Sequence, residues 1–547
     1  MRKLTAKLFP AVAALAVLDF AVLILAGALP VKAVDQPVYD KIKAEEMDHS
    51  QIMHTLHMLT DRYGPRLTGS PNFENAANWV VKQLTEWGFT NAHLESWDFG
   101  HPGWLNERAA GYILSPVHEN LKFEVLSWTP STKGSVTGST VEIELPRGPE
   151  LPAADGAAGR GGRGPQYAQP SKDELTAWMS ANKDKVHGKV VLVGKAAVVP
   201  VNFNPAPLRR GEGDGRGGRG NFAGRGAGRG TPDPSRLTAA QVAEMLDQWL
   251  KDSGALVRIN DAGMDHGLIR AFQNRTYDVN KAVPTVVLRN EDYGRIERLM
   301  GDNEAVKLEF NIVNQSFPKG TTSYNVAGEI PGTDKADEIV MLGGHLDSWH
   351  AATGATDNAI GSSMMLEAAR IIHALGLKPR RTIRVALWSG EEEGLLGSAA
   401  YVKQHFGTFE DPKPEYAKLD CYFNIDSGTG RVRGASIFGP AAAADIISAA
   451  LEPFKEWAVG TANATTSRAT GGTDSTNFNA AGLPGIGLQQ DPIEYQSFTW
   501  HTNLDTYERI VPEDVKQAAT EIASAVWTVA NADQMIPRLS KAEMPAK

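Results

Sequence analysis

The sequence predicts an α/β protein: a mostly parallel sheet with helices on both faces, preceded by a long β-rich stretch. Two observations carry this. From Asn325 onward, strand-like runs alternate with helical ones. From about residue 122 to 320, strand-like runs dominate and are separated by low-complexity stretches. A chain of 547 residues is too long for one compact core and implies two or three domains.

In chain order, Arg2, Lys3 and Lys7 precede an apolar run from Phe9 to Leu29, and Val31-Lys32-Ala33 offers a cleavage site. Residues 1–33 are therefore expected to be a signal peptide, leaving a soluble, exported protein. The competing reading, an uncleaved anchor, is weakened by Asp19, because a carboxylate is costly in the middle of a lipid span. Met47 to Gly88 reads as two amphipathic helices. The first is marked by Ile52, Leu56 and Leu59; the second follows Ser70-Pro71 and turns Ala76, Val80 and Leu84 inward. Strand-like runs then include Lys189 to Val193, Ala255 to Ile259 and Thr285 to Leu288. Ala153 to Gly164 and Arg209 to Gly230 are Gly/Arg-rich and read as loops with too little apolar surface to order themselves.

In the alternating region, strands are expected at Ile339 to Leu342, Thr382 to Trp388, Cys421 to Ile425, Ser436 to Phe438 and Gly485 to Leu488. Helices are expected at Ala359 to Leu375, Ala441 to Trp457 and Pro512 to Ala530. In such sheets chemistry gathers at the carboxyl ends of strands. The net charge of −9 opposes a nucleic-acid partner, including for the Gly/Arg segments. The single cysteine, Cys421, allows no intramolecular disulfide. It lies in an apolar run without a basic neighbour, which favours a buried inert thiol over a nucleophile.

Five short motifs place histidines and carboxylates at or just after strand ends. In Gly344-His345-Leu346-Asp347, His345 can ligate a metal through one ring nitrogen while Asp347 accepts from the other; a structural histidine is the bland alternative. Asp357, in Thr356-Asp357-Asn358, is either a helix cap or a carboxylate bridging two metals. Glu391-Glu392-Glu393 directly follow an apolar strand. Three adjacent carboxylates are unfavourable unless cations or a helix N-terminus neutralise them. Two neighbours there can divide labour, one binding a metal and one moving a proton. Asp426 ends the fourth motif and His501 lies in the fifth. Together they supply two sites of mixed N/O character, each with one histidine, one carboxylate and a share of Asp357, which suits a zinc pair about 3.5–4 Å apart.

These ordered motifs resemble the two-zinc exopeptidase family that includes bacterial aminopeptidases and glutamate carboxypeptidases. The resemblance runs from about residue 50 to 540, including Tyr63-Gly64-Pro65-Arg66-Leu67-Thr68-Gly69-Ser70 and Gly472-Thr473-Asp474. It implies a mixed, mostly parallel twisted sheet between helices. The peptidase would comprise residues 34–121 and 321–540, a protease-associated domain would span 122–320, and 541–547 would be a tail. It also implies two Zn2+ per subunit. His345 and Asp426 would hold one, Glu392 and His501 the other, and Asp357 would bridge, often beside a cis peptide. Glu391 matches the general base that takes a proton from metal-activated water, Asp347 the partner of His345, and Glu393 a variable position. Trp349-His350-Ala351-Ala352-Thr353 departs from the more acidic, glycine-rich segment of a relative, so substrate preference does not transfer.

The implied activity is hydrolysis of short peptides near one terminus, as aminopeptidase, dipeptidase or carboxypeptidase, with no membrane partner after signal cleavage and a homodimer left open. A non-catalytic relative is disfavoured because all five ligands and the base are present. A two-metal hydrolase of another bond is disfavoured by the protease-associated insertion and, for phosphoesters, by the lack of basic residues in the motifs. Asp474 reads equally as a pocket residue or a helix cap. Tyr495 reads as oxyanion support or loop packing, and Arg66 as buried beside a carboxylate. An acidic residue by the metals would take a free amine, an arginine or lysine a free carboxylate; sequence alone does not locate Arg468 or Lys403.

Overall fold

A computed structural model describes residues 35–151, 167–199, 233–302, 304–469 and 472–546. The expected signal peptide and both Gly/Arg-rich segments lie outside the described residues.

Two eight-stranded sheets organise the chain. The first runs Thr90–Asp98, Thr322–Ile330, Arg381–Trp388, Lys335–His345, Leu419–Asn424, Gly485–Gln490, Val432–Phe438, Ala462–Thr465 in spatial order. Its four central strands, Arg381–Trp388 to Gly485–Gln490, are parallel. Antiparallel pairings towards both edges make the sheet mixed.

The central strands are apolar on both faces because both faces are covered. Along Lys335–His345, Val340 and Leu342 enter the larger core beneath helices Ile360–Ala374 and Pro512–Ala530, while Ile339 and Met341 enter the core beneath Leu396–His405. Cys421 is fully buried in the larger core, and burial pushes its thiol pKa up, as expected of an inert residue.

The second sheet orders Glu119–Asn120, Gly103–Ser115, Lys307–Phe317, Ser135–Ile143, Val190–Val193, Val257–Asp261, Thr285–Leu288, Phe123–Val125. It begins at Gly103, earlier than the expected boundary at 122, because Gly103–Ser115 pairs along its length with Lys307–Phe317. The region is also less purely β than expected: Lys172–Val186, Ala239–Asp252 and Asn290–Gly301 are helices. The first two start with reciprocal capping boxes, Ser171 with Glu174 and Thr238 with Gln241. The two units share a core, since Leu67 and Trp349 are buried among the second unit's side chains.

Candidate metal centre

The parallel register sets the centre. His345 is the last residue of its strand and stands beside Trp388; Asn424 ends the neighbouring strand opposite Gly343. Chain leaving these three ends carries His345, the Glu391–Glu393 run and Asp426 to one edge of the sheet. Asp357 lies just before helix Ile360–Ala374, at a cis Asp357–Asn358 peptide bond. Asn358 is seated between Gly344 and Gly361. A Cβ at 361 would fall 2.0 Å from its amide oxygen, so only glycine fits there. The Asn358 amide donates to the Ile425 carbonyl at 2.9 Å, tying the Asp357 turn to the Asp426 strand end.

Two clusters of ligand-type atoms result: His345, Glu391 and Asp426, and Asp357, Glu392 and His501. Asp357 stands between them, 3.2 Å from His345 Nε2 through one oxygen and 3.2 Å from His501 Nε2 through the other. His501 Nε2 is 2.9 Å from Glu392, and His345 Nε2 is 3.5 Å from Asp426. His345 Nε2 and Asp357 Oδ2 are buried and make no hydrogen bond. Such atoms are costly unless another partner meets them. Asp357, Glu391, Glu392 and Asp426 crowd four carboxyl groups here, and two divalent cations would balance them when all are ionised.

Ionisation in the protein alone reflects this crowding. Burial opposes charge on His345, but Glu391, Asp426 and contacts with Asp347 and Asp357 outweigh it and raise its pKa well above the usual value. Burial likewise opposes charge on His501, yet Glu392 and Asp357 raise it to about 10. Glu391 is pushed well up by burial, with His345 opposing and Asp426 adding, and Glu392 is pushed up by burial to about 7. Asp357 goes the other way. Burial raises it, but the two histidines lower it further.

The surrounding contacts orient these groups. His345 Nδ1 is 3.1 Å from the Asp347 carbonyl and 3.5 Å from the Asp347 carboxylate, so the nearer acceptor is backbone rather than the expected side chain. The Asp347 carboxylate instead also accepts from Thr68 at 3.0 Å and from the Glu391 and Glu392 amides at 3.4 and 3.3 Å. Asp505 accepts from the Thr356 and Asp357 amides. Sequence reasoning does not single out Thr68 or Asp505, although Thr68 lies inside the Tyr63 to Ser70 stretch and Asp505 follows His501 by four residues.

The centre opens on a cavity of about 420 Å³ whose lining includes Asp357, Glu391, Glu392, Asp426, Tyr495 and His501. The Tyr495 hydroxyl donates to Asp426 at 3.3 Å. Asp474 differs from the expectation. It neither caps helix Ser475–Ala480 with its side chain nor lines the cavity; it is fully buried and accepts from Ser398, while Thr473 and Ser475 line the wall. Arg468 is turned away and paired with Glu410, and Lys403 does not line the cavity.

Residues 325–526 match peptidase family M28. This chain carries an M28 peptidase domain. It is similar along most of its length to carboxypeptidase Q of Mus musculus, at 26% identity over 485 residues, covering 88% of this chain and 86% of the relative. A solved peptidase M28 precursor from Shewanella amazonensis superposes with a TM-score of 0.62 at 25% identity, covering 92% of this chain and 99% of that one. A zinc aminopeptidase from Bacillus subtilis superposes with a TM-score of 0.53 at 18% identity, over 90% of this chain and 97% of that one, and supports the fold alone. The mixed α/β architecture of the M28 domain is thus shared with solved relatives that also span the second sheet.

Arg66 sits beneath the M28 site without a carboxylate hydrogen-bond partner, contrary to the expected pairing. Its guanidinium donates to the carbonyls of Leu346, Leu59, Thr353 and Gly354 at 2.6–2.9 Å.

Proposed function

We propose that the protein is an exported zinc-dependent exopeptidase that hydrolyses short peptides near one terminus, with Glu391 as general base. The observation that carries this reading is the pair of histidine–carboxylate clusters sharing Asp357 at the floor of one cavity. His345 and Asp426 would hold one zinc, Glu392 and His501 the other, with Asp357 between them; mixed N/O donors suit that ion. When bound, the zinc pair supplies Lewis acidity and an activated water.

The residues of the chain do the rest. Glu391 lines the cavity, and burial together with neighbouring carboxylates raises its affinity for a proton, which suits a group that takes a proton and returns it to a leaving amine. Asp347 fixes the turn carrying Glu391 and Glu392 through their amides. Tyr495 presents a phenolic donor at the cavity wall for a developing oxyanion. The second sheet is read as the protease-associated domain, packed over the M28 domain through Trp349 and Leu67. The N-terminal basic and apolar pattern supports export with cleavage after Ala33; no described helix is long and apolar enough to cross a membrane.

The test is a panel of free, N-blocked and C-amidated peptides given to purified mature protein before and after chelation and zinc return, with Glu391→Gln alongside. Zinc-dependent cleavage that falls about 10²–10⁴-fold in Glu391→Gln is expected, and the blocked substrates report which terminus is read. No cleavage by protein shown to hold two zinc ions would overturn the reading.

A further inference from the structure

The two clusters are held in different ways. His345 is anchored by its own strand and by the Asp347 carbonyl. His501 is in a loop, at φ 61°, and its Nδ1 is buried without a hydrogen-bond partner. A metal-binding imidazole usually has its ring fixed by a hydrogen bond from the second nitrogen. Here rings surround it instead. Trp500 stacks on it at 4.1 Å between centroids, Phe272 meets it edge-on at 5.5 Å and 89°, and Trp349 stands 6.4 Å away. Phe272 and Trp349 also pack against each other at 5.2 Å.

Phe272 belongs to the second sheet's unit, in the segment between strands Val257–Asp261 and Thr285–Leu288. That segment is fastened to the His501 loop at several points. The Asn503 backbone N–H donates to the Ile269 carbonyl at 3.0 Å, and the Asn503 side-chain oxygen accepts from the Ile269 amide at 2.9 Å. Arg270 donates to the Trp500 carbonyl at 3.1 Å, and its guanidinium lies 4.8 Å above the Trp500 ring. Trp349 joins both sides, because its backbone amide donates to Glu392 at 3.3 Å while its ring packs on Phe272.

We infer that Phe272, contributed by the second domain, is a positioning residue for His501, so that the Asp357–Glu392–His501 position depends on domain contact and the His345–Asp426 position does not. This rests on the two-metal reading above. Aromatic contacts of this geometry fix ring direction as well as burying area, the role that hydrogen-bonded partners play for other metal-binding histidines, where their loss weakens the site about 10–100-fold.

The experiment is titration of metal-free, full mature protein with zinc chloride by calorimetry, for wild type, Phe272→Ala, Phe272→Tyr and Asn503→Ala, with thermal melting of each metal-free protein. Wild type is expected to take up two ions. Phe272→Ala should bind one as wild type does and the other about 10–100-fold more weakly; Phe272→Tyr should restore it. Asn503→Ala, which removes the side-chain acceptor of the Ile269 amide without touching a ring, should weaken the same single ion. Adding Phe272→Ala to His501→Ala should cause no further loss at the remaining ion. Two ions retained at wild-type affinity in both Phe272→Ala and Asn503→Ala would overturn the inference, as would equal weakening of both ions with a lowered melting temperature. Failure of wild type to take up two ions would instead sink the two-metal reading itself.

Discussion

Asp505 gives the sharpest quantitative test of how the centre is held. Its two oxygens accept from the amides of Thr356 and Asp357, and the residue is buried. Asp505→Asn keeps one oxygen acceptor but turns an NH2 group towards the other amide, so one buried N–H is left unpaired. An unsatisfied buried donor costs about 1–3 kcal/mol. The loss falls on the Thr356–Asp357 backbone, which places the carboxylate between both histidines, so it should also appear in metal affinity. A weakening of about 10–100-fold corresponds to about 1.4–2.8 kcal/mol, within the same range. Asp505→Ala orphans both amides and should cost roughly twice as much. Zinc affinity is read by competition with a chromophoric chelator, and folding of the metal-free protein by thermal melting. A folded Asp505→Asn protein with zinc affinity within twofold of wild type would refute the idea that this carboxylate fixes Asp357.

Two further outcomes follow from other contacts. Tyr495→Phe removes the hydroxyl at the cavity wall and should lower kcat about 10²–10³-fold with little change in KM; a loss below tenfold in steady-state assays would reduce Tyr495 to packing and to its bond with Asp426. Glu46 is fully buried on helix Gln36–His49, and burial, with Glu367 adding, raises its pKa from 4.5 to about 9. The folded protein therefore keeps a proton that the unfolded chain releases above 4.5, so this group's stabilising contribution is full below that pH and is lost as pH rises towards 9. Glu46→Gln should flatten that loss and raise stability at pH 8 by at least about 1.4 kcal/mol, one pKa unit's worth, while changing little near pH 4.5; equal melting shifts at both pH values would contradict it.

Much of the M28 domain was legible because its information is local. A buried parallel strand is a short apolar run, and the residues that leave it are adjacent in sequence. The expected Thr382 to Trp388 and Cys421 to Ile425 runs are the observed Arg381–Trp388 and Leu419–Asn424 within two residues. His345, Asp357, the glutamate run and Asp426 stood out for the same reason. What was missed depends on distant chain. Thr68 meets Asp347, and Phe272 meets His501, only after folding brings together residues more than 200 positions apart. The helices Lys172–Val186 and Ala239–Asp252 are different. Their capping boxes are legible in the sequence, but each helix follows a Gly/Arg-rich stretch that reads as loop. Asp474 was misjudged because its motif reaches the cavity through Thr473 and Ser475, while its own side chain turns back to Ser398.

Arg66 explains how so acidic a floor can be assembled at all. Burial lowers its pKa to about 10, with Asp505, Asp347, Asp357 and Glu392 opposing that fall, so it stays charged at neutral pH. Its donors do not quench any of these carboxylates by direct hydrogen bonding. They go to the carbonyls of Leu59, Leu346, Thr353 and Gly354, on three separate stretches of chain. A planar fork with several fixed donors can staple those stretches at once, which a lysine ammonium on a flexible stem cannot. The positive charge thus contributes attraction at a distance, while the oxygens of Asp357 and Glu392 remain with the two histidines. A direct ion pair would have stabilised the same negative charge by occupying those oxygens. The Gly64–Ser70 turn, far from the other motifs in sequence, therefore belongs to the centre because of electrostatics and loop anchoring, and not because it offers a ligand.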